Sequence, residues 1–256
     1  LPAGEITTSM AFDVLSMGVG SDGTSGFPLV GVYLTGKELK AAAEVDASVT
    51  PLMPAAQLYM AGLEYSFNTH RMFFNRVTDI RLRWNITVTA DVEMVDAKGN
   101  QVPPPTFTHD FYEEIKDDQL YWVVTGMYSA QMLGTVKSKS LGLLSLEPKM
   151  ADGSPVDDFE ACILRDENGN EIKEWYALAA YLQTFGEEGV PSRYARPDGR
   201  KDVSRSWNPI ELVKSPSWIT LAALAVLIAA AALAVFLVRW VHYARKRRRY
   251  GKGTRW

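Results

Sequence analysis

Residues 28–39 read PLVGVYLTGKEL, and this stretch decides the fold class. Its first half, up to Leu34, is a β-rich apolar run opened by a proline, the pattern of a strand. Its second half changes period. Thr35 is a natural helix N-cap and Glu38 follows three residues on, a capping-box spacing. Leu39, Ala42, Ala43 and Val45 then supply one apolar helix face. A strand feeding directly into a capped helix, in a chain that also holds alternating strands, predicts an α+β domain with a mixed sheet and two main helices.

Outward from that core, residues 12–17 (FDVLSM) are apolar and are expected to form a preceding strand, with a helix entry over 5–11 that Thr7, Thr8 or Ser9 caps. Further strands are expected at 57–67, 77–84, 87–95 and 141–146. Residues 120–128 (LYWVVTGMY) show little polar alternation, so a central strand covered on both faces is expected. Turns are expected at 97–100, 152–153 and 168–169, and a rigid spacer at the three prolines 103–105. The second main helix is expected over 171–185, with Ile172, Trp175, Ala179 and Leu182 on one face.

The C-terminal quarter differs in kind. Trp218 begins 21 residues without a charge, WITLAALAVLIAAAALAVFLV. As a helix this run spans roughly 32 Å, against a bilayer core of about 30 Å. The expected organisation is a domain over 1–185, a Gly/Pro/Arg-rich extracellular stalk over 186–215, a transmembrane helix over 216–239 and a basic cytoplasmic tail over 240–256. Arg239 and seven further Lys or Arg residues follow the apolar run with no acidic residue, which places the tail in the cytoplasm and the bulk outside. Membrane lipid is therefore an expected partner, and the tail reads as a membrane-surface anchor rather than a nucleic-acid arm. Of 27 basic residues, eight lie after the run, leaving 19 against 30 acidic ones, a net charge of −11. That argues against nucleic acid as a partner. A lone cysteine, Cys162, allows no internal disulfide and suits a single-pass protein of a Gram-positive bacterial surface. The chain opens LPAGE with no signal peptide, although its bulk is expected outside, so the expectation is the C-terminal portion of a longer polypeptide.

The order of motifs resembles the C-terminal domain of the 5′-nucleotidase family. Gly4-Glu5-Ile6-Thr7 is similar to that family's G-D-I-T helix entry. Residues 30–39 are similar to its strand and L-T-G-x-E-L. Residues 57–65 (QLYMAGLEY) resemble its Q-x-S-G-L-x-Y, and 121–125 (YWVVT) its Y-x-V-A-T. The resemblance implies an upstream metallophosphatase domain with two divalent metals, and a nucleotide or related phosphoester substrate whose nucleoside part this domain holds. The present chain has no cofactor of its own on this reading. Its histidines, His70, His109 and His242, form no His-x-His or Asn-His pair, so it has no ligand set for a dimetal cage. Asp110 beside His109 reads as a surface pair, and 166–171 (DENGNE) as a turn whose glycine comes too early for a calcium loop.

The resemblance also implies a clamp of two rings on the base. The family's P-F-G-N aligns with Ser16-Met17-Gly18-Val19, which keeps Gly18 but puts Met17 where the ring stands. Tyr128 occupies the second ring position. The ribose aspartate of G-G-D-G is missing from Gln131-Met132-Leu133-Gly134, and the arginine of G-G-x-R would fall before Leu1. Tyr128 reads equally as a core residue on a packed strand, and Met17 reads more readily as a core residue at a strand end than as part of a clamp. Residues 18–28 (GVGSDGTSGFP) form a glycine-rich insertion, and Phe27 at its far end is the candidate to fill the vacated aromatic position. Three functions follow as alternatives: the substrate-binding part of a cell-surface nucleotidase, a nucleotidase-like surface module with a decayed site, or part of a hydrolase of a different phosphoester.

Overall fold

A computed structural model describes residues 4–54, 57–89, 94–95, 101–102, 106–139, 145–186, 189–214 and 216–250. The expected turn at 97–100, the proline spacer and most of the expected strand at 141–146 lie outside these residues.

The elements run α1 (Thr8–Leu15), β1 (Leu29–Thr35), α2 (Gly36–Val49), β2 (Leu63–Asn68), β3 (Val77–Thr89), β4 (Met94–Val95), β5 (Gln101–Val102), β6 (Thr106–Glu114), β7 (Leu120–Gly126), α3 (Met127–Lys139), α4 (Glu174–Gln183), β8 (Lys201–Ser204), α5 (Pro209–Val213) and α6 (Trp218–Tyr250). The fold is α+β, with β1 paired to β7, a four-stranded sheet in the order β6-β3-β2-β8, and a short β4-β5 ladder.

The β1-to-α2 junction forms as the sequence dictates. Thr35 caps α2 by accepting from Glu38 N, and the Glu38 side chain accepts from Thr35 N at 2.8 Å, completing the capping box. Glu38 also binds Lys149 Nζ. Val30 and Val32 of β1 are buried against Met127, Ala130, Cys162 and Ile163. Leu34 and Leu39 pack with Leu63 and Ile115, and Ala42 and Val45 with Leu146. Each fully buried valine contributes about 1.5–3 kcal/mol, so β1 is the spine of the domain.

The runs 77–84 and 87–89 join in one strand, β3, the strand expected from 57 begins at Leu63, and α3 is an added helix; three further elements also differ from expectation. The stretch 12–17 is not a strand, because Thr7 caps a helix there and Ala11 and Phe12 pack it toward α4, with Phe12 edge-on to Trp175 at 5.4 Å. A six-residue apolar run fits either period, and the cap decides. β7 is not covered on both faces: Trp122 is 53% exposed and lies edge-on to Tyr33 on an open side. It also ends at Gly126, so Tyr128 belongs to the first turn of α3. Within the segment expected as a stalk, β8 pairs in parallel with β2, Tyr65 opposite Lys201 through Asn68 opposite Ser204. Lys201 reaches Asp46 at 2.8 Å and Leu58 O at 2.7 Å, which bolts this edge strand to α2. Within α6, Trp218–Tyr243 is long and apolar enough to cross a membrane.

Candidate functional site

The candidate site lies where β1 and β7 meet. Leu29 pairs with Gly126, and Met127 N donates to Pro28 O at 2.9 Å, one step past the ladder. The same register brings Phe27 and Tyr128 side by side. Their rings stack with centroids 5.7 Å apart and planes 22° apart. Tyr128 remains 47% exposed, so one face of the pair is open to solvent.

The insertion that carries Phe27 is an ordered hairpin. Val19 bridges Ser25, Gly20 N donates to Thr24 O, Gly26 N to Gly18 O and Phe27 N to Met17 O. Gly18 has φ +82°, and a Cβ there would fall 2.3 Å from Phe27 Cζ. The glycine is therefore the floor on which the Phe27 ring rests. Gly26, φ +100°, lies under Trp175, where a Cβ would fall 2.7 Å from Cδ1, and Trp175 Nε1 donates to Ser25 O at 3.2 Å.

A charge cluster fixes the hairpin tip. Lys173, its side chain 5% exposed, donates to Asp22 Oδ1 at 2.8 Å and to Glu171 Oε2 at 2.6 Å. Glu171, fully buried, also accepts from Ser21 Oγ and from Asp22 N at 3.2 Å. The hydrogen bonds from Lys173 and then Thr24 lower the Asp22 carboxyl to about 2. Burial pushes Glu171 up, but the bonds from Lys173 and Ser21 outweigh it and hold it below the usual range. A further carboxyl stands beside the ring pair. Glu174 N donates to Phe27 O, and its side chain lies on Gly126, where a Cβ would meet Glu174 Oε1 at 1.4 Å. Burial raises its pKa.

Of the residues singled out from sequence, Phe27, Tyr128 and Gly18 converge. Met17 contributes its backbone carbonyl to the hairpin while its side chain is 70% exposed. The Lys173 cluster and Glu174 were missed; nothing in their spacing from residue 22 or 126 marks them, since they are brought in by the bridge between Pro28 and Lys173. Asp166 closes its turn by accepting from Asn168 N and Asn170 N, and Asp110 pairs with Arg83. Among the described residues no group of three or more His, Cys, Asp or Glu is arranged to hold a metal ion. The arrangement offers flat aromatic faces, a carboxyl and a rigid backing, which suits holding a planar ring.

The chain matches the family model "5′-nucleotidase, C-terminal domain" over residues 1–136 and belongs to that family. Among solved structures it is similar to a 5′-nucleotidase precursor from Thermus thermophilus, with 21% identity and a TM-score of 0.44, covering 78% of this chain and 28% of that one. It is also similar to the NAD nucleotidase of Haemophilus influenzae, with 15% identity and a TM-score of 0.38, covering 78% and 27%. The chain thus spans under a third of the length of either. A search of the curated proteins finds no match.

Proposed function

We propose that this domain holds the nucleoside part of a nucleotide or related phosphoester by stacking its base on the Phe27–Tyr128 pair. The hydrolysis itself is assigned to a metallophosphatase domain upstream in the same polypeptide, which would hold the divalent metals. On this reading α6 anchors the protein in a cell membrane with the domain outside and the basic tail inside, as on a Gram-positive surface. Family membership supports the class of ligand. The observation that carries the reading is the stacked ring pair at the end of the β1–β7 ladder, backed by Gly18.

The pair is closed on itself. A base sandwiched by two rings needs about 7 Å between them, two contacts of about 3.5 Å each. At 5.7 Å the rings must part by more than 1 Å, or the base must stack on the open face of Tyr128. Each stacked face is worth about 1–3 kcal/mol. Titration of the full chain with adenosine 5′-monophosphate, followed by calorimetry, is expected to show binding that Tyr128→Ala weakens by about 5- to 150-fold. Equal affinity in both proteins would overturn the reading. It would leave the second one, a nucleotidase-like surface module without substrate, which the self-stacked pair and the outward Met17 side chain favour.

A further inference from the structure

The chain just before α6 is tied to one particular loop of the domain. Arg71 Nη2 donates to Lys214 O at 2.6 Å, and Ser217 N donates to Asn75 Oδ1 at 2.9 Å. Trp207 stacks on His70 at 4.1 Å between ring centroids. The loop between β2 and β3, residues 69–76, is thereby held at the first residue of the apolar helix. It is also held rigidly from behind. Phe74 N donates to Ser48 Oγ, Arg76 Nη1 to Ala47 O, and Arg76 N and Val77 N to the Glu44 carboxylate. Phe74 sits at φ +58°, a conformation that bulky residues rarely adopt. Such an outlier survives only where its surroundings over-determine it, and points to a loop shaped for use.

What the loop presents is apolar. Met72 and Phe73 are exposed, with the Arg76 guanidinium 4.5 Å over the Phe73 ring. Trp207, on His70, and Ile210 and Val213 of α5, which runs between that stack and the Lys214–Arg71 bond, are more than two-thirds exposed, and Trp218 follows. Phe73 is two residues from Asn75, so its backbone lies at most about 7 Å further along the chain. The headgroup layer on each side of a bilayer core is itself about 5–8 Å deep.

We propose that the 69–76 loop, Trp207 and α5 form a surface that rests in the headgroup region of the membrane, so that the domain lies directly on the lipid in a fixed orientation. The inference rests on the reading that α6 spans a bilayer. The occupant follows from continuity: these side chains adjoin the one helix, among the described residues, that is long and apolar enough to enter lipid. Amphipathic rings with basic neighbours are the groups that settle at that depth.

The test uses the full chain in vesicles of phosphatidylcholine and phosphatidylglycerol. Single cysteines carrying an NBD fluorophore replace Phe73, Ile210, Val226 or Asn168, in a Cys162→Ala background. Should that background fail to fold, Cys162 is kept, since it is buried. Lipids bearing a shallow nitroxide are expected to remove at least half of the emission at 73 and 210, as for groups held about 5–10 Å into the interface. The probe at 168, in an exposed turn, should keep its emission, and the one at 226 should respond to a deep nitroxide. Probes at 73 and 210 that behave like the one at 168, while 226 is quenched, overturn the seating but leave the span intact. Loss of quenching at 226 as well overturns both. Burial at 73 that ignores the nitroxide would mean a protein contact and also refute the proposal.

Discussion

Substituting Gly18 by alanine tests whether the ring pair is built on this glycine. Two costs add. At φ +82° an alanine suffers left-handed strain of about 1–2 kcal/mol. Its Cβ would also fall 2.3–2.6 Å from Cζ, Cε2 and Cε1 of Phe27, well inside the usual contact of about 3.5–4.0 Å. The ring must therefore move by more than 1 Å and lose its stack on Tyr128, worth about 0.5–1.5 kcal/mol. The stiffer unfolded chain returns about 0.4–1 kcal/mol. The expected net loss is about 0.5–3 kcal/mol. In a Phe27→Ala background the steric part vanishes and only the backbone strain remains. The double-mutant cycle should then give a coupling of about 0.5–1.5 kcal/mol between positions 18 and 27. Urea unfolding of the full chain in detergent, read by near-ultraviolet circular dichroism, measures it. A Gly18→Ala cost that is the same in both backgrounds to within about 0.3 kcal/mol would refute the seating of the ring.

Two other perturbations reach different parts of the molecule. Lys173→Met takes the 2.6 Å cation from the buried Glu171 carboxylate, leaving it Arg165 Nη2 at 3.7 Å, and should destabilise by about 3 kcal/mol in urea unfolding; a loss under about 1 kcal/mol would mean that Arg165 and water make good the pair. Burial pushes the Asp46 carboxyl up, but bonds from Lys201, Tyr65 and Leu58 N outweigh it and hold it below its unfolded value of about 3.9. Its stabilisation is therefore present above about pH 4 and lost as pH falls through the folded value. Protection factors for hydrogen exchange at residues 201–204, which divide out the intrinsic pH dependence, should fall on that acidification in the wild type. Asp46→Asn should show low protection at every pH, and wild-type protection that does not change with pH would sink the argument.

The parts legible in the sequence are those set by local chemistry. Thr35 and Glu38 lie three residues apart and cap α2 by themselves, so strand, cap and helix could all be read there. Residues 12–17 could not, because a short apolar run fits both periods and the decision lies with a cap at Thr7 and a contact with Trp175, far along the chain. β8 carries almost no pattern: Lys201–Ser204 is polar and mostly exposed, and it is a strand only because β2 offers an edge. The ring pair shows the same division. Tyr128 and Gly18 could be placed by motif order, and Phe27 by its position at the end of the insertion. The charge cluster that holds Phe27 in place joins residues about 150 apart, a separation no spacing rule reaches.

On the proposal that α6 anchors the protein at a cell surface, the parallel pairing of β8 with β2 bears on how the domain could be released. A sheddase needs a stretch of free, extended chain. Residues 201–204 are committed to the sheet edge, and Lys214 and Ser217 are hydrogen-bonded to Arg71 and Asn75. A cut between these points leaves the domain-side end still pinned to β2. The anchor-side end stays bonded to Arg71 and Asn75, so under the proposed anchoring a cut alone does not free the domain, and tension along α6 reaches the 69–76 loop before it reaches the sheet through β8.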